Sequence, residues 1–343
     1  MILKKQIIQY FFVTLVSLWP GANNAFATRK SAKQINGATW SDTKGRPINA
    51  HGGGILFHKG VYYWYGEIKG GKTWRVQGQN WECYRTNAGG VSCYTSKNLK
   101  DWKFEKTALP PNMTDPNSDL HFSGVMERPK VVYNRKTKKF VMWLHIDKED
   151  YSYARAGVAV SDLPTGPFRY IQSYRPNNNM SRDMTLFKDD DEKTYLIYSS
   201  ENNATMHICL LTDDYLKPTT CYKRVFIKQF REAPAVFKLQ NRYYMITSAC
   251  TGWAPNKALL AVSDSVLGNW KMLCNPCKGE KSDITFGAQS TFILPVGKKN
   301  NQFVFMADKW EKTSLPESGY IWLPVTIKND SIHIPWNDNF TTK

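Results

Sequence analysis

The chain has 343 residues, room for one large domain or two small ones, and its 46 Lys and Arg against 29 Asp and Glu give a formal charge of +17. The basic residues are scattered through turn-forming stretches, which describes a solvated surface and argues against nucleic acid as a partner; an acidic polysaccharide fits better. The apolar run at residues 7–19 is too short to cross a bilayer, which argues against membrane insertion.

Lys4 and Lys5 precede that run, and Ala25-Phe26-Ala27 follows it in the small-x-small pattern of a cleavage site. Residues 1–27 are therefore expected to be a secretory signal, and residues 28–343 a single exported domain, periplasmic or extracellular and soluble. Losing Lys4 and Lys5 takes the charge from +17 to +15. No cysteine lies near the cut, which argues against a lipid anchor there.

A polar lead runs to about residue 49, and then one design recurs five times: a short apolar strand, a polar turn and a second strand rich in aromatics. The pairs are 52–57 with 61–65, 127–133 with 140–143, 182–187 with 194–198, 231–238 with 243–247, and 289–294 with 302–306. Further strands follow at 90–94, 156–160, 207–210 and 258–262, each leading into a similar turn, as in Ser96 to Trp102 and Ser263 to Trp270. No long segment has helical periodicity. Repeats of this length with about four antiparallel strands each predict an all-β, five-bladed β-propeller.

In a propeller the innermost strand of each blade starts at the mouth of the axis, so its first residues converge. That register brings together His51 with its following glycines, Glu127, Asp183, Glu232 and Gln289. A pair of carboxyl groups around a small cavity suits glycosidic bond cleavage, one protonating the leaving oxygen and the other acting on water or the sugar. The acid needs a raised pKa, which burial or a neighbouring carboxylate supplies, and Asp183 and Glu232 come from adjacent blades. Among 12 Trp, Trp253 lies in a loop able to line the funnel, with Trp74, Trp81 and Trp310 in comparable stretches. Trp102 and Trp270 belong to the repeated turns and are expected to be structural. Seven cysteines allow Cys83 with Cys93 and Cys209 with Cys221 as local disulfides and leave one thiol over; Cys274-x-x-Cys277 lacks the second half of a zinc site.

The stretch from Arg182 to Phe187 with Asp189-Asp190-Asp191, followed by Glu232-Ala233-Pro234-Ala235-Val236-Phe237 and Tyr243-Tyr244, resembles glycoside hydrolase family 43 over nearly the whole mature chain. Ala50-His51-Gly52-Gly53-Gly54, Tyr63-Trp64-Tyr65-Gly66-Glu67, Glu127-Arg128-Pro129-Lys130 and Gly252-Trp253-Ala254-Pro255-Asn256 resemble its exo-β-1,3-galactanase branch. The resemblance implies an inverting hydrolase that releases galactose from the non-reducing end of β-1,3-galactan. It also implies a plant-type galactan or arabinogalactan as partner; a monomer is expected. Arabinofuranosides, galactofuranosides and xylosides are the rival substrates, and a non-catalytic carbohydrate-binding propeller the rival class. By motif Glu232 corresponds to the general acid and Asp183 to the residue that tunes it. The family's usual base, an Asp opening the first blade, is missing here, and Gln289 stands in its place. Glu127, Glu67, His51 and Trp253 are the expected substrate-binding residues, with Glu127 and Glu67 also rival bases. No cofactor is required; a structural calcium, common in the family, is in doubt because Gln289 lies near its place.

Overall fold

A computed structural model describes residues 34–297, 302–328 and 331–341. The expected signal, residues 1–27, lies outside them. The described residues form five blades. The first is β1 (His51–His58), β2 (Val61–Arg75), β3 (Tyr84–Ser96) and β4 (Lys103–Leu109); the second β5 (Val125–Asn134), β6 (Lys139–Asp147), β7 (Arg155–Ser161) and β8 (Arg169–Tyr174). The third is β9 (Met184–Lys188), β10 (Thr194–Ser200), β11 (Thr205–Leu211) and β12 (Pro218–Val225); the fourth β13 (Arg231–Leu239), β14 (Arg242–Ala249), β15 (Leu259–Ser263) and β16 (Lys271–Met272). The fifth departs from the four-strand pattern. Beside β18 (Gln289–Val296), β19 (Gln302–Lys309), β20 (Gly319–Lys328) and β21 (Ser331–Pro335) it carries a short parallel strand, β17 (Cys277–Lys278). Among the described residues the only helices are three short 3-10 turns, and none could cross a membrane.

Each sheet is covered on both faces, which is why its middle strands read as unbroken apolar runs. Successive side chains alternate between the two neighbouring seams. Met142 and Leu144 of β6 pack toward blade one, while Val141 and Trp143 pack toward blade three. Leu196 and Tyr198 of β10 face blade two, and Tyr195 and Ile197 face blade four. The repeated turns are structural as expected: the indole N–H of Trp102 donates to Leu99 O (3.1 Å), and that of Trp270 to Val266 O (3.0 Å).

The ring closes between blades five and one around Trp40, Trp64, Trp102 and Trp322. The polar lead is part of this closure. The Asn36 side chain accepts the Trp322 N–H (2.7 Å) and donates to Trp322 O (3.1 Å), while Gly37 N–H donates to Tyr320 O. Neither of the two locally possible disulfides is formed; all seven cysteines are free thiols. Cys93 is packed into the seam between blades one and two, whereas Cys83 ends the loop after β2; Cys209 is buried and Cys221 exposed.

Candidate active site

The first strands β1, β5, β9, β13 and β18 pack around the axis, and their mouths open into a cavity of about 500 Å³, within the usual range for small-molecule sites. A local device recurs at these mouths. Pairing with the second strand slips just after His51, Glu127 and Glu232, and the next residue is left-handed: Gly52 (φ 57°), Arg128 (φ 54°) and Ala233 (φ 53°). A bulge there bends the strand and re-aims the side chains beside it. In blades two and four it places Glu127 and Glu232 in the cavity wall. Left-handed backbone at Arg128 and Ala233 costs each of them about 1–3 kcal/mol, which the surrounding packing must offset.

Glu232, Asp183 and Gln289 meet around Arg128. The guanidinium donates from Nε to Asp183 Oδ1 (3.1 Å), from Nη2 to Gln289 Oε1 (2.5 Å) and from Nη1 to the Ser290 carbonyl (2.9 Å), and its Nη2 lies 2.9 Å from Asp183 Oδ2. Gln289 Nε2 donates to Glu232 Oε1 (2.9 Å) and to Ser248 Oγ (3.0 Å), and Trp310 Nε1 donates to Gln289 Oε1 (3.2 Å). Arg and Trp can only donate, so the amide orientation is fixed by its partners. Burial, reinforced by the Asp183 carboxylate, pushes the Glu232 carboxyl up to about 8 against the opposing pull of Arg128. Glu232 therefore carries its proton at neutral pH. Asn203 Nδ2 approaches its other oxygen (3.3 Å).

In the same cavity Lys69 Nζ lies between Glu67 Oε2 (2.8 Å) and Glu127 Oε1 (3.3 Å). Glu127 also accepts from Tyr151 OH (3.1 Å) and faces His145 Nδ1 (3.5 Å), whose Nε2 meets Asp147 (2.9 Å). Burial alone would raise Glu127, but Lys69 and His145 hold it well below the usual carboxylate range. Burial would lower His145, yet Asp147 and Glu127 raise it to about 9. Burial lifts Glu67 to about 7 against the pull of Lys69. The two glutamates thus differ in kind: Glu127 is a fixed anion, and Glu67 is balanced near neutrality.

Six of the seven expected site residues line one cavity: Glu232, Asp183, Gln289, Glu127, Glu67 and Trp253. His51 does not. It is fully buried behind the wall, stacked on Tyr320 (4.9 Å between rings) with Nδ1 3.7 Å from Asp308, whose other oxygen accepts the Gly52 N–H (2.5 Å). Its ring fills the seam with blade five, so its reach toward a sugar is lost. Trp253 meets Trp310 edge-on (5.3 Å), and Trp81 also reaches the cavity; Trp74 lies in β2 and faces Arg85 instead. Sequence reading missed Arg128, Lys69, His145, Tyr151 and Asn203. Lys69 was within reach, because two residues along a strand from Glu67 is the same face.

The chemistry defined by this arrangement is that of a glycoside hydrolase: a carboxyl with a raised pKa beside a second carboxyl group paired with Arg128, in a cavity walled by indoles and hydrogen-bonding groups. The sequence profile of glycosyl hydrolases family 43 matches residues 73–283, and the chain belongs to that family. Among solved structures, a family 43 β-1,3-galactosidase solved with galactodeoxynojirimycin is 44% identical, with a TM-score of 0.82 over 90% of this chain and 100% of that one. The exo-β-1,3-galactanase of Phanerochaete chrysosporium, solved with β-1,3-galactotriose, is 32% identical, with a TM-score of 0.80 over 91% of this chain and 68% of that one. The exo-β-1,3-galactanase of Clostridium thermocellum is 37% identical, with a TM-score of 0.77 over 89% of this chain and 65% of that one. No curated protein sequence matches the chain.

Proposed function

We propose that the protein is an exported, monomeric exo-β-1,3-galactanase that removes galactose from the non-reducing end of β-1,3-galactan, including the galactan of arabinogalactan, with inversion. The observation that carries this is the protonated Glu232 set against Asp183, Arg128 and Gln289 in a chain 44% identical to a β-1,3-galactosidase. In the reaction Glu232 gives its proton to the leaving glycosidic oxygen as the bond to the anomeric carbon breaks. Water held by the Gln289 amide oxygen attacks that carbon from the opposite face; its proton passes to that oxygen as the amide shifts to its imidic acid form, which releases it to solvent. Asp183 keeps Glu232 protonated and is itself held by Arg128. Glu127, a fixed anion, accepts hydroxyls of the terminal sugar, and Trp253 and Trp310 wall its faces.

Gln289 positions the water. Inversion calls for about 6.5–9.5 Å between acid and base, whereas Gln289 is hydrogen-bonded to Glu232 at 2.9 Å. The terminal sugar must therefore part that bond as it enters. The 3.2 Å contact from Trp310 is the longest at the amide oxygen and the one a water replaces most readily. A calcium ion does not fit at this point. The amide oxygen already accepts from the Arg128 guanidinium and the Trp310 indole, donors that a cation would have to displace.

The test is NMR of purified protein acting on a β-1,3-galactooligosaccharide. Galactose released first as the α-anomer is expected. First release of the β-anomer would overturn inversion, and release only from arabinosyl or xylosyl oligosaccharides would overturn the substrate.

A further inference from the structure

The first blade has an element the others lack. β2 pairs Glu67 with His51 at the mouth of the axis and then continues for eight residues to Arg75. At about 3.3 Å per residue this carries the strand roughly 25 Å past the mouth. β3 returns beside it, pairing Lys69 with Ala88 and Arg75 with Tyr84. Two register slips bend this hairpin arm: one lies between Glu67 and Lys69, and one between Gly70 and Trp74, where four steps on β2 match two on β3 and Gly71 is left-handed (φ 73°).

The bend lays the tip over the cavity. Trp81 meets the ring of Tyr151 from blade two (5.7 Å, edge-on), and a Cβ built on Gly252 of blade four would lie 3.5 Å from its indole. Blade five holds the arm from its own side: Lys312 pairs with Glu82 (2.5 Å), and Leu315 N–H donates to Thr73 Oγ1 (2.9 Å). Gln79, Asn80 and Trp81 line the same cavity as Glu232 and Asp183. The arm thus spans from blade one to blades two, four and five. The rim it leaves uncrossed is that of blade three, edged by Arg182, Asn202 and Asn203.

We propose that this arm, with Trp81 at its tip, is what confines cleavage to chain ends; the proposal rests on the exo-galactanase reading above. A polysaccharide threaded through the site needs two exits from the cavity. With the arm in place it has one, over blade three, so the ring at Glu232 must be the last in its chain.

The test uses two β-1,3-galactooligosaccharides labelled at the reducing end, one with a free non-reducing end and one with that terminal ring O-methylated at C3 and C6. Wild-type protein is expected to release galactose from the first and leave the second intact. Failure on the first sinks the substrate reading and is separate from the arm. Trp81→Ala is expected to cut the capped chain internally, at least about tenfold above the wild-type background, the scale on which losing one pocket wall relaxes discrimination. Lys312→Met, which frees the arm without touching the cavity, should move the same way to a smaller extent, while Trp81→Phe should keep the capped chain intact. If folded Trp81→Ala, checked by circular dichroism, still releases only single galactose units and spares the capped chain, the arm is not the barrier. If it loses activity on both chains, Trp81 is a binding residue and the proposal is equally overturned.

Discussion

At the scale of single residues, the site is a balance of charges around Glu232, and the balance has a sign that can be measured. Glu232 must be protonated to act, and its carboxyl titrates at about 8, so kcat/KM should be lost with unit slope as pH rises through that value. Asp183 raises this pKa by repulsion and Arg128 lowers it by attraction. Asp183→Asn should therefore move the basic limb to lower pH, and Arg128→Met should move it to higher pH, with Arg128→Lys restoring most of the shift. Limbs that move together, or not at all, would show that the acid lies elsewhere. Glu232→Gln should lower kcat by about 10²–10⁴-fold, the usual contribution of a general acid. The base is tested by azide. If Gln289 holds the water, Gln289→Ala loses turnover heavily and azide restores it from the vacated space. Rescue of Glu67→Ala instead would hand the role to Glu67, whose pKa near 7 suits a base better than the fixed anion Glu127. Glu232, Asp183 and Gln289 were legible because each opens an innermost strand. Arg128 was not, because it turns toward Asp183 and Gln289 only through a left-handed backbone that nothing in Glu127-Arg128-Pro129-Lys130 announces.

At the scale of the element, the bulged mouth is the unit that makes a strand end into a site. Blade one shows its demands most clearly. Gly52 sits at φ 57°, and an added Cβ would fall 2.4 Å from Glu67 Oε1 and 3.3 Å from Arg128 Cδ; at Gly53 it would fall 2.0 Å from the Tyr65 carbonyl. These glycines thus make room for Glu67, Arg128 and the backbone of β2. Gly52→Ala should cost about 1–3 kcal/mol from the backbone and the crowding together, read as a lower urea midpoint, and should reduce kcat through displaced Glu67 and Arg128. An unchanged midpoint would mean that the crowding relaxes freely. Strand positions were legible from their apolar runs and turns, and the antiparallel order from the repeat. The arm was not. Gly70-Gly71 reads as the end of a strand, whereas here the glycines bend a strand that continues, held by pairing with residues 84–88 that sequence alone does not align.

At the scale of the whole molecule, the propeller is a ring, and its stability depends on a seam joining the two ends of the described chain. Trp64 and Trp322 meet at 4.9 Å, Trp40 and Trp322 at 5.0 Å, and Trp64 and Trp102 at 5.2 Å. Trp64, Trp102 and Trp322 are at most 1% exposed. The polar lead carries no strand pattern in the sequence, yet the bonds of Asn36 and Gly37 run to Trp322 and Tyr320, nearly the full length of the chain away. Asn36 meets both backbone groups of Trp322, so Asn36→Ala leaves a buried N–H and carbonyl unpaired, at about 1–3 kcal/mol. Trp40→Ala removes a buried indole from the same seam and should cost more, about 3–5 kcal/mol. Against a total stability of about 5–15 kcal/mol for a domain, the second change could unfold the protein outright and the first should not. Neither residue lines the cavity, so the Asn36→Ala protein that stays folded should keep a kcat/KM close to wild type while its urea midpoint falls. Hydrogen exchange gives the decisive contrast. If closure holds the ring as one unit, Asn36→Ala should speed exchange in all five blades by a similar factor. Faster exchange confined to blades five and one would mean that the seam opens locally and that the other three blades are stable without it.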